Sequence, residues 1–385
     1  MHSLQKMTCV EDLRLRAQRS VPRMFYDYVD TGSWTESTYR ANEADLQALK
    51  FRQRVAVDIS RRTLACELLG QAAAMPVALA PTGLTGMQRA DGEILAARAA
   101  ERFGVPFTLS TASICSIEDV AARTSRPFWF QLYVMRDRDF VGRLIDRARR
   151  AGCSALMVTL DLQLAGQRHK DIKNGLSAPP RLTVPNLLNM ATRPRWCLEM
   201  LRTPRRTFGN IIGHVAGVDN IRSLAAWTAE QFDPTLGWQD LAWIRERWGG
   251  KLIVKGVMDA EDARHAVAAG VDALVVSNHG GRQLDGAPST ISVLPEILRA
   301  VDGRTEVWMD GGIRSGQDVL RALALGARGV LTGRAFLYGL GAYGEPGVRR
   351  ALDIIARELD LSMAFCGRTR VQDVDRTILR NPGLY

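Results

Sequence analysis

Residues 273–286 read ALVVSNHGGRQLDG. A short apolar run of strand type stops in Ser-Asn-His-Gly-Gly-Arg, which puts the imidazole of His279 and the guanidinium of Arg282 at the C-terminal end of a buried strand. The two glycines between them let a ligand approach the backbone. A base that takes a substrate proton would then stand beside a cation that holds a substrate anion. A lone histidine at a strand end is more often structural than catalytic, so the reading depends on whether the pattern recurs along the chain.

It recurs eight times. MPVALAP (75–81), PFTLST (106–111), PFWFQLY (127–133), ALMVTLD (155–161), KLIVKG (251–256), ALVVSNHG (273–280), EVWMDGG (306–312) and GVLTGR (329–334) are apolar runs alternating with helix-type segments. Continuously apolar strands of this kind belong in a parallel sheet. Eight such units over roughly 250 residues predict an α/β fold, a (β/α)8 TIM barrel. An open doubly wound sheet fits less well, because polar residues follow nearly every strand rather than one crevice. The chain is therefore expected to form a single domain. Residues 1–74 would be an N-terminal helical cap broken at Pro22 and Gly32, 75–365 the barrel, and 366–385 a C-terminal tail. A stretch over 162–237 interrupts the rhythm after the fourth strand and is too long for an ordinary βα loop. It ends in LGWQDLAWIRERW, a helix with Leu241, Ile244 and Trp248 on one face.

Composition narrows the function classes. With 46% hydrophobic and 24% charged residues and no apolar run of 18, nothing is expected to cross a membrane as a helix. The charged N-terminus lacks the apolar core of a secretion signal. The six scattered cysteines read as reduced thiols, so a cytoplasmic location is expected. The net charge of +10 is uneven: Arg181 to His214 holds six arginines and one acid, Glu199, interleaved with Leu, Ile, Met, Trp196 and Phe208. That mixture suits either a solvated loop or a peripheral contact with anionic lipid on the inner face of a membrane. No nucleic-acid motif accompanies it. His2, His169, His214 and His265 have no spacing that suggests a metal site.

In a barrel the C-terminal strand ends converge on one mouth, so distant residues can share a site. They are Ala80-Pro81-Thr82-Gly83, Ser110, Gln131 with Tyr133, Thr159 with Asp161, Lys255, Ser277 with His279 and Arg282, Asp310-Gly311-Gly312, and Gly333-Arg334. DGGIRSG (310–316) opens a helix and GR (333–334) follows the eighth strand. Exposed backbone N–H groups, a helix N-terminus, Arg314 and Arg334 there suit a phosphate.

SNHGGRQLDG, DGGIRSGQDVLRALALGARGVLTGR, FQLYV, VALAPTG and FYDY together resemble the FMN-dependent α-hydroxy-acid dehydrogenase/oxidase family. LGWQDLAWIRERW and FDP (232–234) are most similar to its bacterial quinone-linked L-lactate dehydrogenases, and ASICSIED (112–119) to its mandelate dehydrogenases. The resemblance implies that His279 is the base, taking a proton from the substrate hydroxyl or α-carbon, and that Asp161 orients it and stabilises it once protonated. Arg282, Arg168 and Tyr26 would hold the substrate carboxylate, and Tyr133 would meet the hydroxyl. Lys255 would stand near the flavin edge where charge accumulates on reduction. Ala80, Pro81, Thr82, Ser110, Gln131, Thr159 and Ser277 would hold the isoalloxazine. The phosphate end would fall to Gly311, Gly312, Gly333 and Arg334, with Asp310 and Arg314 near it.

Removing a proton pair and two electrons from an anionic hydroxy acid needs a base, a cationic clamp and an electron sink, and no side chain serves as that sink. Ala112 stands where the plant-type oxidase carries Trp, and Gly83 where oxidases carry Ala. Both favour a dehydrogenase with room beyond glycolate. Without an N-terminal haem domain, a membrane quinone is the expected acceptor, and the family suggests a homotetramer. The expected substrate is L-lactate, with mandelate or another bulky 2-hydroxy acid as the alternative. Two other classes remain open. One is a non-redox phosphate-binding isomerase or aldolase with Lys255 as a Schiff-base amine, which would leave Arg168 and Arg282 without a role. The other is a lipid-surface protein on an inactive barrel.

Overall fold

The computed structural model describes residues 2–176, 183–215, 218, 231 and 233–385. A two-stranded hairpin comes first, β1 (Cys66–Leu68) and β2 (Gln71–Ala73). Eight parallel strands follow at the predicted places: β3 (Val77–Leu79), β4 (Thr108–Ser110), β5 (Trp129–Tyr133), β6 (Ala155–Thr159), β7 (Lys251–Val257), β8 (Ala273–Val276), β9 (Glu306–Met309) and β10 (Gly329–Thr332). They pair in the order β3-β10-β9-β8-β7-β6-β5-β4. A single parallel bridge between Leu79 and Phe107 brings the two edges together, with the Leu79 N–H donating to the Pro106 carbonyl at 2.9 Å. The expected (β/α)8 barrel is borne out.

Two apolar cores result. Between strands and surrounding helices lies the larger one, and inside the barrel a smaller one of Trp129, Met157, Ile253, Val275, Trp308 and Leu331. Trp129 and Trp308 meet edge to face at 5.4 Å. The hairpin is an element of the cap that helical spacing did not predict. Leu69 and Gly70 turn it with positive φ (51° and 78°), the pair of left-handed residues that a two-residue hairpin loop needs. Leu68, Leu69 and Ala73 join the interior core, so the hairpin plugs the end opposite the mouth. The tail is also held: Arg380 N–H reaches the Lys50 carbonyl at 2.7 Å, and Phe51 bridges Leu379.

The cap sits on the mouth. Asn278 and Asn42, from helix Ser37–Ala48, exchange side-chain amide bonds at 2.9 and 2.8 Å. Gly281 and Gly312 allow this approach. Both have positive φ, and a Cβ would lie 2.6 Å from Tyr39 Cα at the first and 2.3 Å from the Asn42 carbonyl at the second. The chain from the SNHGG turn then delivers Asp285 to the start of that helix. Its carboxylate accepts from the N–H and hydroxyl of Thr35, the Ser37 hydroxyl and the Thr38 N–H at 2.5–3.0 Å.

Burial works against that charge, but the hydrogen bonds outweigh it and hold the Asp285 carboxyl below the ordinary range. A depressed carboxyl pKa contributes stability above the unfolded value of about 4 and loses it as pH falls towards the folded value. Asp285→Asn should therefore lower the urea unfolding free energy by about 2 kcal/mol at pH 7. The gap from the parent should narrow at pH 3; an equal gap at both values would refute the assignment.

Candidate active site

Inside a barrel, alternate residues of each strand face inward. Ala78, Trp129, Met157, Ile253, Val275, Trp308 and Leu331 belong to the interior core. Two residues further along, the same parity selects Ala80, Gln131, Thr159, Lys255, Ser277, Asp310 and Gly333, with Ser110 beside Gln131 in register. The predicted cofactor residues thus form one layer at the mouth. Lys255 Nζ donates to Ser277 Oγ at 2.8 Å and pairs with Asp310 at 3.0 Å. Burial opposes its charge, but Asp310 and Asp161 prevail and raise its pKa. Ser110 Oγ donates to Gln131 Oε1 at 2.9 Å. The two serines therefore orient Lys255 and Gln131.

Above this layer opens a cleft of about 1150 Å³ of empty space, its mouth included. His279 lines it. The residue is held at φ +57°, unusual for a side-chain-bearing residue, by its own N–H on Ser277 Oγ and by Nδ1 at 2.9 Å from Asp161 Oδ1. The Asp161 carboxyl is desolvated, but His279 and Lys255 hold its pKa low, so it stays an anion. Gly256 makes the pairing possible. It has φ +107° at a register shift in β7, and a Cβ there would lie 2.7 Å from Asp161 Cβ. Gln283 Nε2 ties down the Asp161 and Leu164 carbonyls at 2.6 and 2.8 Å, a role that the sequence reading missed.

Two of the three residues expected to hold an anion come together, joined by a different tyrosine. Arg282 lies 4.7 Å and Arg168 5.7 Å from the centre of the Tyr28 ring, and all three line the cleft with Tyr133. Tyr26 does not. Its hydroxyl accepts from Arg14 at 3.0 Å and its ring stacks on Tyr338, away from the cleft. Two residues along a helix turn about 200°, so FYDY presents Tyr26 and Tyr28 to opposite sides. The structure thus goes against the expectation for Tyr26 and puts Tyr28 in the cleft instead. Burial, with Arg168 and Arg334 near, pushes the Arg282 pKa down to about 10, which still leaves a full cation near neutrality. Burial pushes the Tyr133 phenol up, so it remains a neutral donor.

At the other end Gly311, Gly312, Arg314, Gly333 and Arg334 line the same cleft. Arg334 has a second job. Its guanidinium donates to the Val29, Gly280 and Thr31 carbonyls at 2.8–3.0 Å, leaving two of its five N–H groups for a ligand. Arg314 lies 2.9 Å from Glu43.

Two observations test the fit of a flavin phosphate. Gln131 Nε2, Thr159 Oγ1, Asp161 Oδ2 and Asp310 Oδ1 are buried without a protein partner. Each costs about 1–3 kcal/mol unless a ligand supplies one. Five cations (Arg168, Lys255, Arg282, Arg314 and Arg334) line the cleft, against Asp310 alone among the described carboxylates. The site wants a polar-edged, anionic occupant, and FMN is one.

The sequence profile of the FMN-dependent dehydrogenase family matches residues 17–381. The chain belongs to that family. Among relatives, "L-lactate dehydrogenase" of Pseudomonas syringae pv. syringae (strain B728a) is 44% identical over 97% of this chain and 98% of its own. "L-lactate dehydrogenase" of Stenotrophomonas maltophilia (strain R551-3) is 46% identical over 96% and 98%. Among solved structures, the "monotopic membrane protein (S)-mandelate dehydrogenase" superposes with a TM-score of 0.93 at 37% identity, covering 98% of this chain and all of that one. This FMN-dependent dehydrogenase is thus an oxidoreductase, and the isomerase, aldolase and inactive-barrel readings fall away.

The Tyr26 correction can be measured. Tyr28→Phe should raise KM for the anionic substrate about tenfold, the worth of one charge-assisted hydrogen bond. Tyr26→Phe should leave KM unchanged. The reverse pattern in steady-state kinetics would restore the original assignment.

Proposed function

We propose that this chain oxidises an (S)-2-hydroxy acid, L-lactate first, to the 2-oxo acid and passes the electrons to a membrane quinone. What carries the reading is the His279–Asp161 pair facing the Arg168–Tyr28–Arg282 clamp across one cleft. Arg282 and Arg168 hold the carboxylate, and Tyr133 donates to the hydroxyl side. The free Nε2 of His279 takes the proton, and Asp161 at Nδ1 stabilises the imidazolium. FMN, when bound, supplies the two-electron acceptor. Gln131, Thr159 and Lys255 would hold its ring edge, and Gly312, Gly333, Arg314 and Arg334 its phosphate. The relatives' names favour lactate. A bulkier acid is the second reading, because the cleft wall is built from Gly83, Ala112, Leu162 and Ala165.

The insertion supports the membrane part. Val184, Leu187 and Leu188 recur at i, i+3 and i+4 on helix Val184–Ala191 and are 52–69% exposed. Leu198 and Leu201 are 47% and 70% exposed on helix Pro194–Arg202, with Arg195 and Arg202 also exposed. An exposed apolar face among arginines suits a headgroup boundary. The second helix is seated firmly: Trp196 stacks on Phe25 at 5.4 Å and donates to the Met87 carbonyl, and Arg89 pairs with Glu199 at 2.6 Å. No helix among the described residues is long and apolar enough to cross a bilayer.

His279→Gln should retain its yellow flavin yet lose about a thousandfold in kcat for L-lactate; undiminished turnover would end the proposal. Anaerobic bleaching by L-lactate should outpace bleaching by (S)-mandelate, and the opposite order would select the bulky-acid reading. Replacing Leu187, Leu188 and Leu201 together by Asp should abolish co-sedimentation with phosphatidylglycerol vesicles and leave dye-coupled turnover intact. Unchanged sedimentation would refute the docking face.

A further inference from the structure

Asn210 lies in the insertion, 51 residues after the end of β6 and 41 before the start of β7, yet it is fully buried. Every hydrogen-bonding position of its amide is used. Oδ1 accepts from the Ile117 N–H at 2.9 Å and from Arg147 at 3.2 Å, and Nδ2 donates to Ser113 Oγ at 2.9 Å and the Ser110 carbonyl at 3.4 Å. Arg147 also donates to the Asn210 carbonyl at 3.1 Å and is itself fixed by Glu118. Next to it, Gly209 N–H bonds the Ser113 carbonyl at 3.2 Å, and a Cβ on Gly209 would lie 2.7 Å from the Ile114 carbonyl. The turn is seated against the loop that follows β4.

That loop carries two parts of the site. Ser110 orients Gln131, whose Nε2 waits unpaired in the mouth layer, and Ala112 forms the wall opposite Gly83. From the other side the buried Glu93 carboxylate accepts from the Gly86, Ile114 and Cys115 N–H groups at 2.9–3.3 Å. Glu93 thus ties the loop to the barrel, and Asn210 ties it to the insertion.

We propose that Asn210 is a positioning residue that sets the depth of the substrate wall at Ala112 and the pose of the Ser110–Gln131 pair. The substrate range of this barrel is then governed partly from outside it. This rests on reading the cleft as a 2-hydroxy-acid site. Losing the Nδ2 donors leaves Ser113 Oγ with only its bond to the Cys115 carbonyl and the Ser110 carbonyl with only the Ser113 N–H, so the wall can shift while His279, Asp161 and the arginines stay in place.

Asn210→Asp is the informative variant, because it keeps the acceptor for Ile117 and Arg147, replaces the donors by an oxygen facing the Ser110 carbonyl and adds a charge that Arg147 neutralises; Asn210→Ala removes donors and acceptor alike. Asn210→Asp should bind FMN, raise KM for L-lactate about tenfold with kcat within threefold of the parent, and change the L-lactate to (S)-mandelate ratio of kcat/KM at least fivefold. The visible flavin band should shift, reporting Gln131. A lowered Tm with parental KM, ratio and spectrum would show a purely structural role and overturn the proposal. If the parent oxidises no 2-hydroxy acid, the functional reading fails. The flavin spectrum then decides alone: a shifted band in Asn210→Asp supports the positioning role, and an unshifted one overturns it.

Discussion

The last carbonyls of helix Arg23–Asp30 meet two guanidinium groups from the barrel mouth. Arg282 donates to the Tyr28 and Thr31 carbonyls, and Arg334 to those of Val29 and Thr31. A helix C-terminus leaves carbonyls unsatisfied and carries partial negative charge, and buried cations need both. Each partner answers the other's penalty. Without the cap helix, several cations would face one another across a desolvated cleft. Without the cations, the cap would have no reason to sit on the mouth. The same contact places Tyr28 between Arg168 and Arg282, so the packing that makes the buried charge tolerable also gathers the three residues of the proposed clamp.

This accounts for what the amino-acid pattern could and could not tell. The barrel was legible because apolar strands alternate with helices eight times. The mouth layer was legible because strand parity carries an interior apolar residue to a polar one two positions later. Tyr28 was not, since nothing in FYDY says which tyrosine faces the barrel until the helix is rotated against it. The hairpin escaped notice because its six paired residues resemble a loop, and only closure of the barrel shows an end that needs a plug. Gly281 and Gly312 read as ligand-approach glycines, and they also serve the approach of the cap helix. Gln283 and Asn210 were invisible for one reason: a side-chain amide takes its meaning from backbone groups about a hundred residues away.

The insertion carries the proposed lipid face and the proposed anchor of the substrate wall in one stretch of chain. Its exposed leucines and arginines face outward on two helices. A few residues later Arg205 pairs with Asp91 and Asp119, and Asn210 enters the loop after β4. Cutting out the whole segment would confuse the two proposed roles, since it removes the exposed leucines and the loop's anchor together. Point changes on the exposed face and at Asn210 separate them.

Selectivity must arise away from the chemistry. Any 2-hydroxy acid presents the same carboxylate and hydroxyl, so His279, Asp161, Arg168 and Arg282 have no means of telling lactate from mandelate. Discrimination by an apolar wall is worth only about 1–3 kcal/mol per methylene-sized change, so a small movement of that wall alters the ranking. Gly83 and Ala112 leave that part of the wall small, and its position is fixed by Glu93 and Asn210 rather than by the bulk of the wall residues themselves. Relatives that share the layer and the clamp can therefore differ in substrate through contacts that never touch it.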